Sequence, residues 1–244
     1  MEIIYIEETA STNKYMRYLL SNRNDIKEGT LVRAGFQTAG KGQGQNVWES
    51  EKGANLTFSM LLYPAFLPAS EQFLLSQITA LGVVDFLASF CELRDLTIKW
   101  SNDIYWKDKK ICGMLIENNL SGNAISGAIL GVGINMNQLV FESNAPNPVS
   151  VRQITGKIYD LNEATNSVRD AILNRYMQLL RDEKEQVRRD YFSSLYRKKG
   201  YFSYRDKSGE FSARIKEIHD TGALVLETKS GGERIYTFKE VVFL

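Results

Sequence analysis

The chain has 244 residues, 43% of them hydrophobic and 24% charged, and a formal net charge of +1. That composition suits one large globular domain, or a domain with a small appendage, and gives no net field to hold nucleic acid. No apolar run approaches the roughly 18 residues of a membrane helix, and the start Met1-Glu2-Ile3-Ile4-Tyr5 lacks a basic then apolar leader pattern.

Ile3 to Ile6 reads as a short strand. Ser11-Thr12-Asn13 offers N-cap side chains for a helix through Tyr15, Met16, Leu19 and Leu20. Thr30 to Gly35 is an expected strand, followed by a polar, glycine-rich stretch from Gln37 to Asn46 that reads as a flexible loop. Asn55 to Leu62 is a further strand. Ser70 is expected to cap a helix whose apolar positions Phe73, Leu74, Ile78, Leu81, Val84 and Ala88 follow the 3.6-residue period.

Four strands are expected next, at Leu96 to Trp100, Ile104 to Trp106, Lys110 to Asn118 and Ala124 to Ile134. Ser121-Gly122-Asn123 turns the last hairpin, and Asn144 to Pro148 is a polar loop. Asp160 with Glu163 resembles a capping box, and helical spacing then continues to Leu195 as one or two helices. Arg197-Lys198-Lys199-Gly200 reads as a boundary, giving residues 1–197 and 198–244 as two units. From Glu210 the short alternating runs predict four or five strands, on the scale of an SH3-like barrel. Strands and hairpins mixed with helices, without βαβ alternation, predict an α+β fold on a mixed, largely antiparallel sheet.

Few residues are available for some chemistries. The single histidine, His219, rules out His-rich metal sites and reads as a surface residue. Cys91 and Cys112 sit among apolar residues, as inert reduced thiols of a cytoplasmic protein would. Charge handling therefore falls to lysine, arginine, carboxylates and backbone amides.

Three segments can carry chemistry. Gly40-Lys41-Gly42-Gln43-Gly44 can turn backbone amides toward an anion, or be a surface loop. It is no P-loop: Gly35 to Lys41 has the spacing, but Gly42 stands where a magnesium-binding Ser or Thr belongs. In Lys99-Trp100-Ser101-Asn102-Asp103 with Lys109-Lys110, cations flank a carboxylate across a turn, forming either a pocket or a solvated hairpin. Gly131-Val132-Gly133-Ile134-Asn135 marks close approach of a ligand or of a packed neighbour.

Taken in order, Ser11-Thr12-Asn13, Gln37 to Gly42, Trp48, Asn55-Leu56, Lys99 to Asp103, Lys110 to Gly113 and Gly133-Ile134-Asn135 resemble the successive motifs of biotin–protein ligases. The resemblance spans about Ile3 to Asn137 and is looser beyond. It implies a fold like that of class II aminoacyl-tRNA synthetases followed by an SH3-like domain. It also implies two steps: biotin and ATP give biotinyl-5′-AMP, and a carrier lysine then takes the biotinyl group. By position, Ser11, Thr12, Asn13 and Gln37 would meet biotin, with Gly113 and Leu115 lining its pocket. Gly40, Lys41, Gly42 and Gln43 would close over the acyl-phosphate. Lys110 would contact the biotin carboxylate and the α-phosphate, with Lys41 and Asp103 as further catalytic groups, Asp103 in the transfer step. Lys41, Gln43, Trp48, Asn102 and Asn135 would meet ATP or the adenylate, Asn135 at adenine.

Magnesium would arrive with ATP; no protein metal cage is visible. The expected partner is the biotin carboxyl carrier domain of an acyl-CoA carboxylase, with the ligase a monomer or weak homodimer that binds neither nucleic acid nor membrane. Three departures stand out: Gly40-Lys41-Gly42-Gln43 replaces Gly-Arg-Gly-Arg, Ser101 replaces a proline, and the chain starts at the catalytic region without the helix-turn-helix of the repressor members. Lysine lacks the arginine fork and Gln43 lacks charge, so weaker retention of the adenylate is expected. The rival readings are a lipoate–protein ligase, which usually carries Arg-Arg-Ser-Gly-Gly-Gly at the loop and lacks the tryptophan found here at 48, and a biotin-sensing binding module.

Overall fold

The computed structural model describes residues 2–42, 44, 46–142 and 147–244. The order of elements is β1 (Ile3–Thr9), α1 (Thr12–Asn22), β2 (Leu31–Gln37), β3 (Leu56–Leu62), α2 (Phe73–Leu87), β4 (Leu96–Lys99), β5 (Asp103–Trp106), β6 (Lys109–Ser121) and β7 (Ala124–Ile134). Three helices follow, α3 (Val151–Thr155), α4 (Leu161–Leu180) and α5 (Lys184–Ser193). The chain then runs through β8 (Phe202–Asp206), β9 (Gly209–Ile218), β10 (Leu224–Thr228), β11 (Glu233–Tyr236) and β12 (Val242–Phe243).

The first seven strands form one sheet in the order β1-β2-β3-β7-β6-β5-β4. Only β1 and β2 are parallel, joined by α1 in a single βαβ unit that the sequence pattern did not reveal; every other ladder is antiparallel. Side chains alternate across a strand, and here the alternation separates core from site. Phe58, Met60, Leu130, Val132, Cys112 and Met114 belong to the large core under α2 and α4. The opposite face of the same strands carries Leu61 and Ile129, which pack with Met16 and Leu19 of α1. Between α1 and the rest of that face lies the open half of the sheet.

Helix α2 is buried almost all round, thirteen of its fifteen residues. A helix apolar on every side is a core helix, and this one lies between the sheet and α4. A Cβ on Gly82 would stand 2.6 Å from the Ile172 Cα, so only glycine lets α2 and α4 approach this closely. Ser70 does not cap α2. It lies in a 3₁₀ turn over Ala69–Glu71, and the N-cap position is Gln72. Asp160 does cap α4, accepting from the amides of Asn162 and Glu163. Ser11 stands at the N-cap position of α1 without a side-chain cap bond, and this leaves its neighbourhood free for other contacts.

The C-terminal strands form an open five-stranded antiparallel sheet in the order β11-β10-β9-β8-β12, beginning at Phe202 and not at Glu210. Among the described residues no ladder joins β11 to β12, so the expected barrel is not closed by hydrogen bonds. Tyr204, Ala213, Leu224 and Leu226 are part of the large core. The turn at Gly222 ties the two sheets together. Its carbonyl accepts from the Trp100 indole at 2.9 Å, and Arg188 of α5 reaches Asp220 at 2.9 Å and Glu71 at 2.8 Å. No helix among the described residues is long and apolar enough to cross a membrane.

Candidate active site

A cavity of about 400 Å³ opens on the α1 face of the large sheet and is roofed on one side by the C-terminal sheet. That volume lies within the range of small-molecule sites. Two rows of residues across the sheet explain its shape. In β3, β7 and β6, Ser59, Gly131 and Leu115 stand side by side, and two residues further along so do Thr57, Gly133 and Gly113. Glycines remove side chains from this face, and two groups lie down in the space. A Cβ on Gly131 would collide with the Asn13 amide, and one on Gly133 with the Trp48 indole. Of the two readings of these strand glycines, close packing of the protein's own side chains is what the structure contains.

The neutral end of the cavity is a linked set of polar groups. Gln37 Oε1 accepts from the Thr12 amide at 2.8 Å and lies 3.1 Å from Thr12 Oγ1. Ser59 Oγ lies 2.8 Å from Thr12 Oγ1 and 2.5 Å from Asn13 Oδ1. Asn13 donates through Nδ2 to Glu117 at 2.7 Å and to the Leu115 carbonyl at 3.3 Å. Thr12, Asn13 and Ser59 are all buried, so these groups need one another.

The charged end is built by the β4–β5–β6 hairpins. Asp103 and Lys110 converge to 2.7 Å, each side chain about a fifth exposed. Lys110 is held through its backbone, its amide donating to Asn147 and its carbonyl accepting from Val149. Asn102 donates to the Met114 carbonyl at 2.6 Å, and Met114 returns a bond to the Asn102 carbonyl. Lys99 lies over Tyr105 and donates to its hydroxyl at 3.0 Å. Burial holds the Lys99 ammonium below the ordinary lysine range, against the pull of Asp103, and burial pushes the Tyr105 phenol up. Four lysines, at 41, 99, 110 and 239, line the cavity against one carboxylate, Asp103. Such a wall favours an anionic ligand.

The glycine segment folds back as a small hairpin. Gly40 O accepts from the Trp48 amide, Gly42 N donates to Asn46 O, and Lys41 pairs with Val47. Gly40 is required by close approach, since a Cβ there would stand 2.7 Å from the Trp48 carbonyl. Gly44 has φ +69°, and a side chain on it would meet the Lys239 ammonium. The Trp48 indole rests on the glycine shelf with Lys110 5.6 Å from its ring centre, and its Nε1 is buried with no protein partner among the described residues.

Of the residues singled out in the sequence, Ser11, Thr12, Asn13, Gln37, Lys41, Gly42, Trp48, Asn102, Asp103, Lys110, Gly113 and Leu115 all line this cavity. Gly40 and Asn135 do not. Gly40 closes the hairpin, and Asn135 is buried, donating to the Val149 carbonyl at 3.2 Å with its Oδ1 unpartnered among the described residues. Gln43 lies outside the described residues, as does most of the Asn144 to Pro148 loop. Sequence reasoning missed Ser59, Lys239 and Phe243. Ser59 carried a signal, as a polar residue inside the apolar run of β3. The last two come from a sheet whose position no local pattern reveals. His219 is far from this chemistry, half exposed beside Glu217, while Cys112 is buried, Cys91 is half-buried, and both are free thiols.

The sequence model described as the biotin/lipoate A/B protein ligase family matches residues 5–135. The chain is 29% identical over 240 residues to the bifunctional ligase/repressor BirA of Bacillus subtilis, covering 96% of this chain and 72% of that one. It is 28% identical over 211 residues to the biotin–[acetyl-CoA-carboxylase] ligase of Paracoccus denitrificans, covering 84% of this chain and 86% of that one. In fold it matches the biotin protein ligase of Aquifex aeolicus solved with biotin and ATP, with a TM-score of 0.79 at 24% identity over 100% of this chain and 98% of that one. With more than half of its length matched, the chain belongs to the biotin/lipoate A/B protein ligase family.

Proposed function

We propose that this chain is an ATP-dependent biotin–protein ligase that makes biotinyl-5′-AMP and passes the biotinyl group to a lysine of a biotin carboxyl carrier domain. The observation that carries the reading is one cavity with two unlike ends. A neutral network of buried Thr12 and Asn13 with half-buried Gln37 suits the uncharged ureido ring. The Lys110–Asp103 pair and the lysine wall suit a carboxylate meeting a triphosphate.

In the first step a biotin carboxylate oxygen bonds to the α-phosphorus, the α–β bridging bond breaks, and pyrophosphate leaves. Negative charge gathers at the α-phosphate. A lysine fixed by its backbone on both sides stabilises that charge without reorganising, and Lys110 is so fixed. Lys41 and Lys99 add positive potential from the loop and from β4. In the second step the carrier lysine, once its ammonium has lost one proton, bonds through its nitrogen to the acyl carbon, the bond from that carbon to the phosphate oxygen breaks so that AMP departs, and the nitrogen releases a second proton. Asp103, on the hairpin beside Lys110, is placed to orient the incoming ammonium. Trp48 offers a flat apolar wall for the adenylate, and the glycine hairpin under it shields the mixed anhydride from water.

Magnesium enters as part of the ATP substrate, since the triphosphate's charge must be neutralised. Among the described residues no group of three His, Cys, Asp or Glu side chains stands ready to hold a metal, so no step is assigned to a protein-held ion. The test is incubation with Mg²⁺ and ATP plus either biotin or lipoate, read by mass spectrometry. Biotinyl-AMP from the unmodified chain, lost in Lys110→Ala, is the expected result. Lipoyl-AMP alone would move the chain to the lipoate branch of its family, and neither adenylate would end the ligase reading.

A further inference from the structure

The roof of the cavity is apolar except at one residue. The C-terminal sheet gives it Val241, Val242 and Phe243, and from the turn between β11 and β12 a single cation, Lys239. The other lysines of the wall have places of their own. Lys110 stands 2.7 Å from Asp103, Lys99 donates to the Tyr105 hydroxyl at 3.0 Å, and Lys41 belongs to the glycine hairpin, where it pairs with Val47. The Lys239 ammonium has neither an ion pair nor a hydrogen bond among the described residues. Its neighbour Glu240 turns instead to the Thr237 amide at 2.7 Å.

The backbone of Lys239 is left-handed, with φ +71°. Glycine adopts that conformation freely and a side chain opposes it. Such strain persists where the surroundings fix it, and it gathers at functional sites. Here the fixing is visible. The Phe238 ring packs 5.5 Å from Trp100 and 6.1 Å from Phe73, which anchors the turn to the large sheet beside the Lys99 to Asp103 hairpin. Glu240 closes the turn through both the amide and the carbonyl of Thr237. The Lys239 side chain is thereby carried over the glycine hairpin. A Cβ on Gly44 would overlap its ammonium, so the missing side chain at Gly44 is what gives Lys239 its room.

The hairpin also says which part of a substrate this cation faces. Its rungs join Gly40 to Trp48, Lys41 to Val47 and Gly42 to Asn46. Gly40 lies against the Gln37 amide, so Gly44 at the tip is the part of the hairpin farthest from the neutral end. In a displacement at phosphorus the attacking and leaving oxygens lie roughly in line. The carboxylate arrives from the neutral end, and the leaving pyrophosphate therefore points away from it, toward the tip. We propose that Lys239 binds the β- and γ-phosphates of ATP, and so the departing pyrophosphate, while Lys110 serves the α-phosphate. The C-terminal sheet then acts on adenylate formation alone, because its ligand has left before the transfer step begins.

The inference rests on the ligase reading and is tested on the whole chain with ATP, inorganic pyrophosphate, AMP and biotin. Lys239→Gly removes the cation and relieves the left-handed strain, so a melting temperature no lower than that of the unmodified chain shows the fold intact. In this variant the Michaelis constant for ATP and the inhibition constant of pyrophosphate should each rise about tenfold, the loss of one charge-assisted contact. Biotin and AMP affinities, and the rate at which biotinyl-AMP is released, should not change. Lys239→Arg keeps the charge and should hold the ATP and pyrophosphate constants within about threefold of the original. Unchanged ATP and pyrophosphate constants in Lys239→Gly overturn the proposal. So does a release of biotinyl-AMP that quickens as much as the ATP constant rises, since the adenylate has no β-phosphate and Lys239 would then be a clasp on the hairpin. If Lys239→Gly melts early, Lys239→Gln takes its place, and equal constants for the Gln and Arg variants overturn the proposal. An unmodified chain that forms no biotinyl-AMP ends the ligase reading first, whereas one that forms it with pyrophosphate inhibition indifferent to Lys239 loses only this inference.

Discussion

At the Thr12 end of the cavity the polar groups are neutral, buried and bonded to one another, while at the Lys110 end they are ionic and partly open to solvent. The first end sits on strands whose ladders run through the middle of the sheet, with α1 laid over them. The second sits on short hairpins at its margin and is completed by residues of the other sheet. Recognition of an uncharged ring depends on donor and acceptor directions, which a rigid floor preserves. Charge stabilisation depends on potential, which tolerates small displacements and invites large, polyanionic substrates from solvent. The contrast predicts that substitutions at the two ends fail differently, in affinity at the one and in rate at the other.

The largest effect should come at the ionic end. Lys110→Ala should slow biotinyl-AMP formation on the order of 10²–10³-fold, read as pyrophosphate release at saturating biotin and ATP. An equal loss in transfer from biotinyl-AMP supplied ready-made would show that Lys110 also serves the second step. Next comes Gly131→Ala, whose methyl takes the space of the Asn13 amide. Biotin affinity should fall about tenfold to 100-fold, with the Michaelis constant for ATP unchanged. A parallel loss for ATP would mean that the two ends are not separable.

Gln43 bears on the ionic end through sequence alone. Gln43→Arg should slow the release of biotinyl-AMP several-fold by adding a charge-assisted fork, measured by trapping the released adenylate. The smallest effect tests the frame beneath both ends. Hydrogen bonding from Lys184 holds the Glu71 carboxyl below the usual range, with Arg188 adding to it. A carboxyl lowered in the folded state contributes stability above its unfolded value and loses it as pH falls through the folded value. Glu71→Gln should therefore cost about 1 kcal/mol near neutral pH and flatten the acid limb of the stability curve, followed by thermal melting between neutral and acidic pH.

The sequence made the site easier to read than its surroundings. Twelve of the residues singled out converge on one cavity because they lie on strands, loops or the start of a helix that local patterning could place. Helix α2 was harder. Its apolar positions fit a helical period, but the chain that covers its second side, α4 and α5, lies about a hundred residues onward, so a window along α2 cannot tell one buried side from two. Ser70 has the chemistry of a cap and the wrong geometry, because a 3₁₀ turn intervenes. Strand β8 was hidden by the cluster Arg197-Lys198-Lys199, which reads as a loop and runs directly into it. Asn135 has the residue type of an adenine reader and is instead a buried partner of Val149.

The cavity wall runs from Ser11 to Phe243, nearly the whole length of the chain. A pocket assembled from both extremes of a polypeptide exists only once the last strand has docked. During synthesis a nascent chain holding the first seven strands would own the floor and both polar clusters without the roof. Ligand affinity is thus a report on completed folding. Any ligand that needs the roof stabilises the entire molecule and not one lobe of it, so biotin with ATP added to the purified protein should raise the melting temperature of variants weakened far from the site, including those in the C-terminal sheet.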